Sequence, residues 1–335
     1  MNICKLLTRL LPVFSALVLP SCGGDDPDKG HEIVLRFGHF PNITHAQGLI
    51  AHHLSREGRG PIEEHVRKFA GKPVRIEWYT FNAGPSAMEA LLAGSVHFTY
   101  VGPSPAINAF AKTQGADVRL LSGAATGGAA LVVPGDSPLQ QPADFRGKTI
   151  LTPQLGNTQD IACRAWLSEA GLKVSQTGGE VTILPTPNPE QGELLRKGAA
   201  AGVWTVEPWV SRLLRQQGAR IVVRDDSLST VLATSQAIRH RRPGITRAVT
   251  EAHAELTAWI AEHPQEAQAI VCQELEELTH SRIDPALVAA AWPSISFTTS
   301  LPAVWLENYV SRAQQAGFLK AGVDISGIDA TEQPD

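Results

Sequence analysis

From Ile33 onward, short apolar runs alternate with longer stretches in which apolar residues recur every three or four positions. The short runs predict strands at 33–37, 74–78, 97–101, 118–122, 149–152, 181–184, 201–205 and 221–224. The longer stretches predict helices between them. One covers 44–57, with Thr44 and Gln47 at the spacing of a capping box. Another covers 86–93, with Ser86 and Glu89 at the same spacing and Gly94 as its stop. Ser104 caps the next, with Pro105 at its first position, where proline loses nothing. Asn157 or Thr158 opens a helix to Ala170, 190–197 forms one more, and Glu207-Pro208-Trp209 starts a helix reaching Gln217. From Pro243 the pattern is helical at 244–262, 264–277, 285–291 and 302–316. Strand and helix in alternation with short connections predict an α/β protein with mostly parallel sheets.

The segment Gly123 to Val133 is rich in small residues and ends in a strand, which suits a backbone crossing between two lobes. A second crossing is expected at 225–237, because the last helices must pack on one of the lobes. Two lobes with two crossings make a hinged clamshell. A length of 335 residues accommodates both, and 43% hydrophobic with 19% charged residues is ordinary for a packed chain. The net charge of −4 offers no basic field, so a nucleic-acid partner is not expected. Aromatic residues are 6%, which argues against a large aromatic-lined pocket.

The N-terminus reads as a targeting segment. Lys5 and Arg9 precede a short apolar run from Leu10 to Leu19, too short to span a bilayer and right for a signal sequence. The run ends in Leu19-Pro20-Ser21-Cys22-Gly23, which resembles a bacterial lipobox and implies cleavage after residue 21 with lipid on Cys22. Residues 22–31 then form a flexible polar tether outside the cytoplasm. Cys4 leaves with the signal sequence. Cys163 and Cys272 fall in amphipathic helices of different lobes, so buried free thiols are expected.

Enzymatic motifs fail on inspection. Gly102-Pro103-Ser104-Pro105-Ala106 follows a strand and precedes a helix, as a nucleophile elbow does. The residue after the serine must donate a backbone N–H, and Pro105 has none. Gly147-Lys148-Thr149 lacks the earlier glycine of a P-loop and leads into a strand. His45 and His52 share a helix face but lie about two turns apart, too far for one ion without a third element, so no metal is expected. What remains is a set of strand–turn–helix junctions, centred on Asn42, Ser86, Ser104, Asn157-Thr158 and Glu207-Trp209. In a parallel sheet these all lie at one edge, where helix N-termini offer free N–H groups to an anion. Each Asn, Ser or Thr reads first as a cap; together they read as a binding cleft. Glu207 either caps its own helix or receives a donor of the ligand.

The stretches Leu35–His45, Phe81–Ala90, Tyr100–Ala106, Gly127–Val133, Thr152–Asp160 and Glu207-Pro208-Trp209 together resemble the substrate-binding proteins of ABC importers in the nitrate, taurine and aliphatic sulfonate group. The resemblance implies a type II periplasmic-binding-protein fold, two α/β lobes joined by a two-crossing hinge, with 32–126 and 231–330 in lobe I and 127–230 in lobe II. It implies a periplasmic, lipid-anchored monomer that hands a small anionic solute to a permease with its ATPase, without cofactor and without catalysis. Its ligand contacts carry over to Asn42, His45, Ser86, Ser104, Thr126, Gln154, Asn157, Thr158, Glu207 and Trp209. Departures from the family's pattern are Val206, where proline is common, and His97, where aspartate is common. An aliphatic sulfonate or taurine-like solute is the first expectation. Nitrate, an aromatic carboxylate, a vitamin precursor, or a sensor role on the same fold are the alternatives; an enzyme on this fold is disfavoured because its cysteine- and histidine-rich motifs are absent.

Overall fold

The computed structural model describes residues 31–331, so the expected signal sequence, the tether and Cys22 lie outside the described residues. The chain starts with strand β1 (Ile33–His39), a short 3-10 turn (Ile43–His45), helices α1 (Ala46–Arg56) and α2 (Pro61–Ala70), and β2 (Val74–Thr80). Then follow α3 (Gly84–Leu92), β3 (Phe98–Val101), α4 (Pro103–Lys112) and the long β4 (Val118–Gly127). A second unit comprises β5 (Ala129–Val133), β6 (Thr149–Thr152), α5 (Thr158–Glu169), the hairpin β7 (Val174–Ser175) and β8 (Gly178–Gly179), and β9 (Thr182–Pro185). It continues through α6 (Asn188–Arg196), β10 (Gly202–Val206), α7 (Trp209–Gln217) and β11 (Arg220–Asp225). The chain then returns as β12 (Leu228–Ser235), α8 (Gln236–Arg241), α9 (Pro243–Glu262), α10 (Pro264–Thr279), α11 (Pro285–Ala291), β13 (Ile295–Phe297) and α12 (Ala303–Gln315). Among the described residues no helix is long and apolar enough to cross a membrane.

Two sheets carry the molecule. The six-stranded sheet has the order β13-β4-β12-β3-β1-β2, and the five-stranded sheet β11-β5-β10-β6-β9. β1, β2 and β3 run parallel to one another, as do β6, β9 and β10. β12 and β5 run against their neighbours, because each enters its sheet from the other unit and is fed from the opposite end. The crossings are short: Gly128 links β4 to β5, and Asp226-Ser227 links β11 to β12. Gly127 and Gly128 both have φ near +70°, a backbone that favours glycine. α12 closes over the second crossing, where Tyr309 Oη is 2.8 Å from Ser227 Oγ and Arg312 pairs with Asp225 at 3.2 Å. Its other side packs Ala313 and Ala316 onto Ile161 of α5, so one helix touches both units.

Several expected elements shift. α3 and α4 begin at Gly84 and Pro103, before Ser86 and Ser104, and neither serine is a cap. The proline of each Gly-Pro-Ser fixes φ at a helical value and starts the helix itself. Likewise no capping box forms at Thr44: it lies in the 3-10 turn, and Gln47 Nε2 donates instead to Ala124 O at 2.8 Å. α2 was not expected, since only Ile62 and Val66 of its ten residues are buried. β12 was not expected either. It is buried throughout, as a central strand covered on both faces is, so its Ser and Thr residues show no alternation. Cys163 and Cys272 are free and buried, in different units.

His253 of α9 ties this core together. It is fully buried, its Nε2 donates to Gly123 O at 2.8 Å, and its Nδ1 accepts from Tyr100 Oη at 3.0 Å. Burial pushes it down to about 4, against which the bond to Gly123 acts only weakly. The unfolded chain takes up a proton near pH 6.5 that the folded chain refuses until about 4. The stability this group contributes is therefore complete above about pH 6.5 and is lost as the pH falls towards 4. Urea unfolding of wild type and His253→Asn at pH 7 and pH 5 checks this: the wild-type advantage should shrink by about 2 kcal/mol. An advantage that is the same at both pH values would refute it.

Candidate functional site

The carboxyl ends of the parallel strands of both sheets face each other across a small cavity. Asn42 and His45 come from the turn after β1, Asn82 and Gly84 from that after β2, and Gly102 and Pro105 from that after β3. Opposite them, Asn157, Thr158 and Gln159 follow β6, Asn188 follows β9, and Val206 ends β10. This is the position at which open α/β sheets take ligands. The cavity has a volume of about 20 Å³ open to the centre of a water molecule. One water requires about 10–15 Å³ on that measure, so the two units are closed on each other.

Among the described residues the walls carry no Lys, Arg, Asp or Glu, and His45 is their one titratable group. Burial, aided by neighbouring His39, holds it well below its ordinary value, so it is neutral. It stacks on Phe40 with ring centres 4.3 Å apart, and its Nδ1 accepts from the Phe40 N–H at 3.4 Å. The proton therefore stands on Nε2. Positive potential comes from the starts of α3, α4, α5 and α6 instead. Proline thins their donors: between Pro103 and Pro105, Ser104 supplies the one N–H of the first three residues of α4. At α5, Asn157 Oδ1 caps the Asp160 N–H at 2.8 Å.

Three polar atoms at these junctions are buried with no partner: Ser104 Oγ, Gln154 Oε1 and Thr158 Oγ1. Such atoms are rare in folded proteins and leaving one unpaired costs about 1–3 kcal/mol. Contacts across the closure are tight. Gln154 Nε2 is 3.4 Å from Ser86 Oγ, and Trp209 Nε1 is 3.4 Å from Asn42 Oδ1. Gly102 lies against Thr158, so that a Cβ at Gly102 would overlap Thr158 Oγ1.

Of the expected contacts, Asn42, His45, Asn157 and Thr158 line the cavity. Ser104 is buried between the wall residues Gly102 and Pro105; Ser86 and Gln154 are not wall residues but bridge the units at 3.4 Å; Trp209 holds Asn42. Thr126 and Glu207 are not brought there. They border a separate cavity of about 430 Å³ with Ser211, Arg224 and Ser294. Glu207 serves its own helix, accepting from the Ser211 N–H and hydroxyl, both at 2.9 Å. Burial raises its pKa, and those two bonds oppose the rise. His97 accepts from the Arg36 N–H at 3.3 Å and is not a wall residue. Asn82, Asn188 and Gln159 were missed. Asn82 precedes a Gly-Pro turn and Asn188 lies between two prolines, so each reads as loop chemistry until the sheets bring them together.

Two α/β units closing at their strand ends, linked by two short crossings, define the periplasmic-binding-protein fold. Solved structures agree at the level of fold. The alkanesulfonate-binding protein SsuA from Xanthomonas axonopodis pv. citri, bound to MOPS, aligns over 87% of this chain and 96% of its own at TM-score 0.67 and 20% identity. The nitrate-binding protein NrtA from Synechocystis PCC 6803 aligns over 87% of this chain and 83% of its own at TM-score 0.67 and 15% identity. The chain belongs to the NMT1-like family, which it matches over residues 29–276. It is also 29% identical over 152 residues to an Escherichia coli (strain K12) protein provisionally described as aliphatic sulfonates-binding. That match spans 44% of this chain and 45% of the relative, less than half the length of either.

Proposed function

We propose that the chain is the extracytoplasmic solute receptor of an ABC importer, and that it captures a small anion by closing two lobes over it. The lobes are 32–127 with 228–330, and 129–225, hinged at Gly128 and Asp226-Ser227, which moves the expected bound at 230 back to the start of β12. The observation that carries this reading is the pair of unpartnered buried hydroxyls, Ser104 Oγ and Thr158 Oγ1, which come from strand-end junctions of the two units, Thr158 in the cavity wall and Ser104 between the wall residues Gly102 and Pro105. A solute oxyanion accepts from the two hydroxyls and from helix-start N–H groups, and no arginine is needed. The ligand selects the closed state because only that state offers donors from both sides. Asn42, His45, Asn157 and Thr158 touch the solute, and Trp209 orients Asn42. Catalysis is not part of the reading, since Pro105 removes the donor an acyl transfer needs.

An aliphatic sulfonate or taurine-like solute is the first reading, supported by neutral walls and by the names of the similar proteins, and it requires the two units to stand further apart than they do here. The small closed cavity supports nitrate as the second reading. Lipidation of Cys22, delivery to a permease with its ATPase and a monomeric receptor complete the proposal. A thermal-shift screen over sulfonates, nitrate, carboxylates and vitamin precursors identifies the solute, because a ligand of the folded state raises the melting temperature. With that solute, Ser104→Ala and Thr158→Ala should each weaken binding at least tenfold, roughly 1.4 kcal/mol, by calorimetry. Unchanged affinity in both would remove these hydroxyls from the site.

A further inference from the structure

The two histidines that are too far apart in sequence for one ion acquire other partners in the fold. His45 turns to Phe40, whereas His52 of α1 meets His39 from the end of β1 and Glu274 from α10. We propose that His39 Nε2, His52 Nδ1 and Glu274 Oε1 form a three-ligand site for a zinc-class divalent metal ion, pinning β1 and α1 to α10 beneath the cleft.

The geometry supports this atom by atom. His52 Nδ1 is 3.0 Å from His39 Nε2 and 3.0 Å from Glu274 Oε1, and the three atoms all lie within 4.8 Å of one another. Zinc bonds of about 2.0–2.2 Å in a tetrahedron place ligand atoms roughly 3.3–3.6 Å apart, so the ion requires the two 3.0 Å pairs to open by a few tenths of an ångström and the third pair, within 4.8 Å, to settle at the same spacing. The tautomers suit it as well. His39 Nδ1 is 3.3 Å from Phe40 O and donates to it, which leaves Nε2 as a lone pair aimed at the cluster. Without an ion, one proton on His52 Nδ1 faces two acceptors at once; a divalent ion replaces that proton and engages all three groups.

The surroundings are also those of a ligand site. Glu274 has no solvent exposure, and Arg56 grips both of its oxygens, Nη1 donating to Oε1 at 3.0 Å and Nη2 to Oε2, which leaves Oε1 one further lone pair for the ion. Glu277 neutralises Arg56 at 2.7 Å, and Glu57 stands 3.7 Å from His53. Taking Arg59 as the partner of Glu57, three carboxylates and two guanidiniums leave the cluster one negative charge. Trp78 stacks on His52 with ring centres 5.1 Å apart, and its Nε1 is a buried donor with no partner. A surface cavity of about 550 Å³ reaches His52 and Trp78; its border carries Arg56, Arg59, Arg67 and Arg75 beside Glu63 and Glu64, so it gives access without attracting cations. Two imidazoles and one carboxylate suit zinc and its neighbours over calcium or magnesium, which prefer oxygen.

The test uses the full chain stripped of metal by chelator. Titration with Zn²⁺ at pH 7 should give one tight equivalent and raise the melting temperature. Co²⁺ should give visible absorption of tetrahedral strength. His52→Ala should weaken Zn²⁺ at least tenfold, with folding checked by circular dichroism, while the surface control His240→Ala binds as wild type. Co²⁺ absorption on the wild type reads the site without any variant, so misfolding of His52→Ala does not mask the answer. The proposal is overturned if the wild type takes up no Zn²⁺ and shows no Co²⁺ band, or if folded His52→Ala binds as tightly as wild type.

Discussion

Gly102→Ala is expected to weaken solute binding by roughly a hundredfold, about 2.7 kcal/mol, and to leave the melting temperature of the solute-free chain within about 3 °C of wild type. Gly102 has φ −67°, which alanine adopts freely, so the substitution strains no backbone. Its added methyl overlaps Thr158 Oγ1 and stands 3.2 Å from Thr158 Cβ, across the closure. On the proposed clamshell closure, the conflict exists only when the two lobes meet. The open form keeps its stability and the closed form is penalised, which lowers affinity by the same amount. Removing the hydroxyl relieves most of the overlap, so Gly102→Ala with Thr158→Ala should bind more tightly than Gly102→Ala alone. Calorimetry gives the affinities, and small-angle scattering with and without solute reports closure. Normal closure by Gly102→Ala would mean that this contact does not limit the closed state.

Asp160→Asn is expected to destabilise the chain by about 3–5 kcal/mol in urea unfolding. Asp160 is fully buried on α5 beside Arg164, which is 1% exposed. Arg164 Nε reaches Asp160 Oδ2 at 3.0 Å and Nη2 reaches Oδ1 at 3.1 Å. Thr152 Oγ1 and the Gly156 N–H complete the carboxylate's donors at 2.8 and 2.9 Å. The variant leaves a guanidinium buried without its counter-charge, the costly half of a broken ion pair. The same residue fixes the turn that presents Asn157 and Thr158, so binding should fall along with stability. A loss under about 1 kcal/mol would mean that Arg164 finds solvent or another acceptor.

The strand–helix alternation was legible because local periodicity and turn residues carry it. Asn157 is a true cap, as its spacing to Asp160 indicates. Errors arose where the tertiary environment overrode local signals. Ser86 and Ser104 resemble caps in isolation, but the helices begin earlier, at Gly84 and Pro103, so neither hydroxyl serves as a cap. β12 carries no two-residue alternation because both of its faces are covered. Glu207 was open between cap and ligand contact, and its bonds to Ser211 favour the cap.

By itself the sequence determined the α/β order, a glycine-containing crossing somewhere within 123–133, the neutral junction chemistry and the absence of a nucleophile's donor beside Ser104. These are properties of neighbouring residues, fixed by φ, by hydrogen-bonding groups and by hydrophobic spacing. Only the tertiary structure decided that Thr158 meets Gly102, that Asn82 and Asn188 share a cavity with Asn42, and that Glu274 reaches His39 and His52. Those groups are separated by tens to hundreds of residues. Their meeting depends on strand order and helix packing, which no local pattern encodes.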